Sequence, residues 1–110
     1  MTPEFHPAAE QELAAAVDAG EAIASGLGAE LNQEARHVVD LLCELPDIGR
    51  PIESGFRRFP LTRFPYALIY RVTGNRLQII AVAHRRQRPQ YWISRSLPHS
   101  GINEPTTTIP

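Results

Sequence analysis

A histidine and three arginines follow directly after an apolar run, and their types could do chemistry. His84, Arg85, Arg86 and Arg88 come after residues 77–83, LQIIAVA. A guanidinium stays protonated and binds phosphate or carboxylate through paired donors, whereas an imidazole can transfer a proton near neutral pH. The loop that begins at His84 is therefore a candidate for anion binding or for acid–base catalysis.

Further residues of the same chemical capacity lie on both sides of this loop. Tyr91 and Trp92 follow it, and Arg57, Arg58 and Arg63 precede it in the chain. Aromatic residues and arginines together are typical of the residues that anchor protein interfaces. A binding surface is thus the second chemistry that these residue types allow.

An antiparallel sheet must position these candidates. In residues 64–72, FPYALIYRV, β-favouring side chains recur with period two, and residues 73–75, TGN, supply the turn. Residues 77–83 are almost wholly apolar, which predicts a central strand covered on both faces. Residues 56–63 form the first strand, and Pro60 predicts an edge position or a bulge. The basic loop thus follows the end of a central strand.

The residues before this sheet predict a short strand and a first helix. Residues 2–6 are a candidate strand with Phe5 directed inward, and His6 can cap a helix that Pro7 begins. Residues 8–25 carry apolar side chains at roughly helical spacing, namely Ala9, Leu13, Ala16, Val17 and Ile23. The acids expected on the wetter side of this helix are Glu10, Glu12, Asp18 and Glu21.

A second helix is predicted over residues 29–45, after the break of residues 26–28, and Pro46 ends it. Its expected buried stripe is Leu31, Ala35, Val38, Leu42 and Leu45, while Cys43 beside the stripe is expected to be a small core residue. Residues 47–51 are predicted as a loop. The expected fold class is α+β: a short N-terminal strand, an antiparallel helical hairpin on one sheet face, then an antiparallel sheet of three further strands. The opposite sheet face is expected to be partly open.

Charge is divided unevenly along the chain. Before Pro51 there are two arginines and ten acids; from Pro51 onward there are nine arginines and two acids, and no lysine occurs anywhere. The halves therefore carry net charges of −8 and +7. This asymmetry predicts an anionic partner for the basic half, unless the halves complement each other within one fold.

Length and composition predict one domain over residues 1–95 and a disordered tail over residues 96–110. No signal peptide and no apolar run of about 20 residues, as a membrane span needs, is recognisable. The single Cys43 fits a reducing compartment, so a cytoplasmic location is expected. The scattered histidines predict neither a metal site nor a cofactor.

Four segments in order resemble the toxins of the RelE/ParE superfamily. They are FHPAAEQEL, LGAELNQEARHVVDLLCELPDIGRPI, FRRFPLTRFPYALIYRV and IIAVAHRRQRPQYWISR, and they cover about residues 4–95. The resemblance implies a compact strand–helix–helix–sheet fold and a toxin of a type II toxin–antitoxin module. It also implies a partner antitoxin whose C-terminal segment wraps across the toxin's helices and sheet.

Two mechanisms divide this superfamily. RelE-like toxins cut messenger RNA in the ribosome, which here would use His84 or Tyr91 for proton transfer and, as phosphate clamps, Arg58, Arg63, Arg85 and Arg86. RelE-like ribonucleases generally draw on lysines in the second sheet strand, and this chain has none. Arg57 and Arg58 could replace the charge but hardly the proton transfer.

ParE-like toxins instead bind and block DNA gyrase, and the residues favour this branch. The expected surface for the target or the antitoxin comprises Arg57, Arg58, Arg63, His84, Arg85, Arg86, Arg88, Tyr91 and Trp92. A messenger ribonuclease is the alternative, and a non-toxic binding relative is the second alternative.

Each candidate also has a structural interpretation. His84 can cap its strand, Trp92 can act as a lid on the core, and Tyr66 and Tyr70 can be packing residues. The arginines Arg58 and Arg63 can pair with acids of the second helix, such as Glu34 or Asp40.

Overall fold

A helical hairpin packs on one face of a five-stranded sheet in the computed structural model, which describes residues 1–95. The elements are β1 (Thr2–Phe5), α1 (Pro7–Ile23), α2 (Leu27–Glu44), β2 (Arg50–Pro51), a 3-10 turn (Glu53–Gly55), β3 (Arg57–Pro60), β4 (Tyr66–Thr73) and β5 (Arg76–His84). The α+β class and the helical hairpin are confirmed. The predicted tail, 96–110, lies outside the described residues.

The strands are ordered β1-β5-β4-β3-β2. The predicted antiparallel sheet is present as β3, β4 and β5, and two further strands extend it at its edges. At one edge β1 pairs parallel to β5, and at the other β2 pairs antiparallel to β3. The strand β2 falls within residues 47–51, which were predicted as a loop. Two residues, one of them a proline, show no alternation from which a strand could be predicted.

The main core lies between the hairpin and the sheet. Its buried helical residues are Ala9, Leu13 and Ala16 from α1, and Leu31, Ala35, Val38, Val39 and Leu42 from α2. The prediction of burial is wrong for two residues of the stripes: Ile23 is 78% exposed and Leu45 is 51% exposed. Both stand where a helix ends, Ile23 as the last residue of α1 and Leu45 as the cap of α2, so the periodic pattern runs past the packed turns.

The two helices meet closely because their junction is built from small residues. A Cβ at Gly28 would overlap the carbonyl oxygen of Val17, so only glycine permits this approach. The Glu21 carboxylate accepts the N–H groups of Gly26 at 2.8 Å and Gly28 at 3.0 Å. Glu21 thereby satisfies donors at the start of α2 that have no helical partner. At the start of α1, His6 caps as predicted, its Nδ1 accepting the N–H of Ala8 at 3.0 Å.

Strand β5 is covered on both faces, as its apolar sequence predicts. The register pairs Ile69 with Ala81 but Tyr70 with Ile79, so a bulge leaves Ile80 without an opposite residue. Ile79 therefore packs toward the helices, whereas Ile80 and Ala81 join a second cluster on the other face. The alternation of the strand supplies both cores, and the bulge places the consecutive residues Ile80 and Ala81 on the same face.

Tyr70 ties the sheet to the loop that follows α2. Its ring is fully buried; its hydroxyl donates to the carbonyl of Pro46 at 2.7 Å and accepts the N–H of Gly49 at 2.9 Å. A Cβ at Gly49 would overlap this hydroxyl. Tyr70 and the half-buried Tyr66 are thus packing residues, as one interpretation predicted.

Pro60 is the last residue of β3. The N–H of Leu61 donates to the carbonyl of Tyr66 in β4 at 2.9 Å, so the backbone nitrogen of the preceding residue, Pro60, points away from β4. On that side lies β2, which pairs only with Arg57 and Arg58 and does not extend as far as Pro60. The proline therefore removes no ladder bond, and β3 needs no bulge to accommodate it.

Within residues 1–95, neither helix combines the length and the apolar character that crossing a membrane requires.

Candidate functional site

His84 ends β5 and organises the basic loop. Its ring Nδ1 accepts the N–H of Arg86 at 3.0 Å, and its own N–H donates to the Gln87 side chain at 2.8 Å. The ring packs edge-on against Tyr66 at 5.1 Å between centroids. His84 therefore caps its strand, as one interpretation proposed. Because Nδ1 is an acceptor, a neutral ring carries its proton on Nε2, which bonds to no other residue of 1–95.

Two clefts adjoin this loop and share the side chains of Arg58 and Arg85. The first, of about 450 Å³, lies between the sheet and the segment that follows His84. The second, of about 460 Å³, extends along the residues that connect β3 to β4 and includes Arg63 and Phe64. Arg58 and Arg85 therefore stand where the two clefts meet. Arg86 lines neither of them.

Four arginines line the first cleft, namely Arg50, Arg58, Arg85 and Arg88, against one acid, Glu53. Within the described part of the chain, none of these four guanidiniums forms a hydrogen bond or an ion pair. Arginine is always charged, so these groups make the cleft strongly cationic. The cleft is thus a cationic surface whose guanidinium donors are free within residues 1–95.

The two arginines of β3 and its connection differ from those of the cleft. Arg57 donates to the carbonyls of Asp47 at 3.0 Å and Gly49 at 2.8 Å and lies 3.7 Å from the Asp47 carboxylate. Arg63 forms an ion pair with Glu30 of α2. Arg57 is held by the fold and is therefore a poorer candidate for contacting a partner, whereas the Arg63 side chain is 60% exposed and its ion pair lies at the surface.

The interpretation that Arg58 and Arg63 pair with acids of the second helix is right for Arg63, although its partner is neither Glu34 nor Asp40, and it is wrong for Arg58. Arg63 pairs with Glu30, one helical turn before Glu34, and Glu34 instead accepts the N–H of Thr62 at 2.6 Å. Arg58 stands opposite Ile69, whose side chain belongs to the cluster on the sheet face away from the helices. Its side chain therefore cannot reach α2.

Trp92 covers part of the sheet face that was expected to be partly open, and the first cleft lies on the same face. It is only 4% exposed, and its ring meets Phe56 edge-on at 4.9 Å between centroids. Together with Ile69, Ile80 and Ala81 these rings form the second core cluster. Trp92 is thus a lid on the core, as one interpretation predicted, and its buried ring offers little surface to a partner.

A cluster of Glu12, Tyr91 and Arg95 fastens the segment after β5. Arg95 donates to both Glu12 oxygens, at 3.0 and 2.7 Å, and the Tyr91 hydroxyl donates to Glu12 Oε2 at 2.9 Å. The Arg95 and Glu12 side chains are only 17% and 20% exposed. Glu12 was expected on the wetter side of α1, which is wrong. The spacing held a signal, because Glu12 lies three residues after Ala9 and four before Ala16, both of which are buried.

The same cluster completes the edge of β5 where β1 stops. The register ends with Phe5 opposite Ile79, which leaves the next backbone groups of β5 without a strand beside them. Glu12 Oε1 accepts the N–H of Val82 at 2.9 Å, and Arg95 donates to the carbonyl of Ile80 at 2.9 Å. Side chains thus replace the missing strand.

Tyr91 is held protonated by this environment. Burial raises the pKa of its hydroxyl, and the hydrogen bond to Glu12 raises that pKa further. The pKa of Arg95 is also raised, mainly by its hydrogen bonds to Glu12. A hydroxyl that donates to Glu12 is not free to take a proton from a substrate in the cleft. Among residues 1–95 no group of three or more His, Cys, Asp or Glu side chains is placed to hold a metal ion.

The fold and the arginine-lined clefts define a small α+β protein of the kind that the sequence resembles. The family comparison matches residues 4–89 to the ParE toxin of type II toxin–antitoxin systems, parDE. The match covers most of the chain, so the protein belongs to the ParE toxin family.

A solved structure of the chromosomal ParDE toxin–antitoxin system from P. aeruginosa has a similar fold. Its TM-score is 0.59 at 23% sequence identity, covering 76% of this chain and 95% of that chain. No curated protein matches the sequence.

Proposed function

We propose that this ParE-family toxin acts in the cytoplasm by binding DNA gyrase and that an antitoxin protein neutralises it. Membership of the ParE family supports a toxin of a toxin–antitoxin system. The solved relative with a similar fold is described as a toxin–antitoxin system, which supports a protein partner here. A gyrase inhibitor of this kind acts by binding and needs no catalytic group.

The observation that carries this proposal is the set of free arginines in the first cleft. Arg58, Arg85 and Arg88 make no ion pair within residues 1–95, so their donors are available to a partner. Arginine is among the residues that most often dominate the energy of a protein interface. The clefts therefore offer anchors for a protein target.

Ribosome-dependent RNA cleavage is the second candidate, and the position of His84 favours it. Its Nε2 is free, and its ring lines the same cleft as Arg58 and Arg85. Metal-free cleavage, however, needs both a base for the attacking hydroxyl and an acid for the leaving oxygen. Tyr91, the other proton-transfer candidate, donates to Glu12. One proton-transfer group is thus available where two are required, and binding is the better-supported function.

The hairpin offers the antitoxin a second surface. A shallow groove of about 610 Å³ runs between α1 and α2, with apolar Leu13 and Val17 beside acidic Asp18 and Glu21. The arginine-lined clefts lie along the sheet, and this groove lies on the helices. An antitoxin of mixed charge could therefore contact both surfaces at once, which multiplies its affinity without stronger individual contacts.

A paired assay on the purified protein tests the proposal. One arm measures DNA supercoiling by gyrase, and the other measures messenger cleavage on translating ribosomes. We expect inhibition in the first arm and none in the second. Cleavage without gyrase inhibition would establish the ribonuclease instead, and folded protein that is silent in both arms would exclude both targets. Adding the antitoxin should abolish the inhibition.

A further inference from the structure

The two clefts adjoin each other along the sheet and together offer a path to an extended ligand. They share Arg58 and Arg85, and the N–H of Arg85 donates to the carbonyl of Pro65 at 2.9 Å, which holds the basic loop against the connection between β3 and β4. A ligand that extends from one cleft into the other must therefore pass both guanidiniums. A chain-like ligand fits this path better than a compact one.

Apolar side chains line the path on both sides of the two arginines. The first cleft includes Ile52, Ile69 and Ala83, and the second includes Leu61 and Phe64. Cationic donors between two apolar stretches match a ligand that carries a negative charge between apolar groups. An extended peptide with an acidic residue flanked by apolar residues has this pattern, because its side chains alternate along the backbone.

A single strand of nucleic acid fits the path less well. Such strands are bound by aromatic rings on which successive bases stack. Here Trp92 is buried edge-on against Phe56, and Arg95 lies over the Tyr91 ring at 5.0 Å. Arg63 lies over the Phe64 ring at 5.4 Å. The rings of Tyr91 and Phe64 thus each have a face against an arginine, and the Trp92 ring is buried, so these three rings offer little of a stacking platform.

We propose that the two clefts bind an extended acidic segment of a protein partner, with a carboxylate held between Arg58 and Arg85. Bidentate bonds from guanidinium to carboxylate fix this position, and the apolar neighbours of the acid enter the clefts on either side. The inference rests on the proposed function in that the partner is a protein, and it adds the chemistry by which that partner is recognised.

Trp92 makes the site directly observable. It is the single tryptophan of the chain and lines the first cleft, so its fluorescence reports on occupation. The probe is a capped synthetic peptide of alternating glutamate and leucine, titrated into the full chain at about 0.15 M salt, where unspecific surface attraction is screened. A glutamine–leucine peptide of equal length and an oligouridylate serve as comparisons.

The expected result is saturable binding of the glutamate–leucine peptide. The glutamine–leucine peptide should bind at least about tenfold more weakly, because a charge-assisted hydrogen bond is lost. Arg58→Ala and Arg85→Ala should each lower the affinity for the acidic peptide by about tenfold, because each removes a charge-assisted hydrogen bond. Arg86→Ala is the matched control, because it removes the same charge from the same loop and lines neither cleft.

Several results would overturn the inference. If the Arg58→Ala and Arg85→Ala variants bound the acidic peptide as tightly as the unchanged protein does, the peptide would bind elsewhere. Tighter binding of oligouridylate, lost in the same variants, would make nucleic acid the occupant. A change in Trp92 fluorescence with protein concentration alone, accompanied by dimers in sedimentation, would make a second copy the occupant. Peptide binding without gyrase inhibition would refute the proposed target and leave this inference standing.

Discussion

Arg95 and the pair Arg58 and Arg85 show how one residue type serves two ends in the same basic half. Arg95 meets Glu12 through two hydrogen bonds and is mostly buried. Arg58 and Arg85 meet no carboxylate among residues 1–95 and line open clefts. What differs is whether an acid of the helices or of β1 can reach the guanidinium. Paired arginines hold the fold, and unpaired ones are available for binding.

This contrast resolves the uneven charge of the sequence. The four ion pairs of residues 1–95 each join an acid before Pro51 to an arginine after it: Glu4–Arg76, Glu12–Arg95, Glu30–Arg63 and Asp47–Arg57. The halves therefore do complement each other, as the alternative interpretation held. The arginines of the first cleft take no part in these ion pairs, so they are the residues expected to bind the predicted anionic partner.

Removing Glu12 should have the largest effect on stability. In Glu12→Ala, Arg95 loses its carboxylate and the N–H of Val82 loses its acceptor, so we expect the free energy of unfolding to fall by about 3 kcal/mol. Urea denaturation followed by circular dichroism measures this change. Glu10→Ala is the control, since Glu10 is exposed on the same helix and forms no ion pair within the described residues. Equal losses in the two variants would contradict the structural role of the cluster.

Tyr91→Phe should lower the stability by less than Glu12→Ala does, because it removes one hydrogen bond to Glu12 and keeps the ring. We expect a loss of about 1 kcal/mol at neutral pH. The raised pKa of Tyr91 stabilises the fold fully below about pH 10, the pKa of a tyrosine in an unfolded chain. Above that pH the unfolded chain releases its proton first, so this stabilisation is lost as pH rises.

The alkaline limb of the stability profile therefore tests the same residue. Tyr91→Phe should lose stability less steeply above about pH 10 than the unchanged protein does. Burial also raises the pKa of Tyr70, so part of the alkaline loss should persist in the variant. Identical slopes for both proteins would mean that Tyr91 titrates as it does in the unfolded chain.

Removing the cleft arginines should have the smallest effect on stability. For Arg58→Ala combined with Arg85→Ala, we expect a change in unfolding free energy within about 0.5 kcal/mol, as for exposed positions without special contacts. The same variant should lose growth arrest when expressed without an antitoxin. A large loss of stability would show that these arginines belong with Arg95 among the structural ones.

The fold was largely predictable because its elements have strong periodic patterns. The stripe of α2, the alternation of β4 and the apolar run of β5 each depend on many residues at once. The strand β2 was missed because two residues carry no period. The bulge at Ile80 was missed because it concerns the register between strands, which one strand's sequence does not contain.

The residue types of the candidate site were predictable, but which of its arginines are paired within the fold and which are free was not. The basic loop after β5 and the lid role of Trp92 follow from local sequence. Which arginine is paired depends on contacts between distant segments, such as Glu12 with Arg95 and Glu30 with Arg63. A pair of this kind leaves no mark within a single stretch of sequence.

Target binding is expected to depend on free arginines and not on proton transfer by His84. The most direct test of this expectation measures the toxin concentration that half-inhibits gyrase supercoiling for Arg85→Ala and for His84→Ala. We expect an increase of about tenfold for Arg85→Ala, as for a lost charge-assisted bond, and only a small change for His84→Ala. The contradicting result is unchanged inhibition by Arg85→Ala together with messenger cleavage that falls about 100-fold or more in His84→Ala, as for a lost general acid or base.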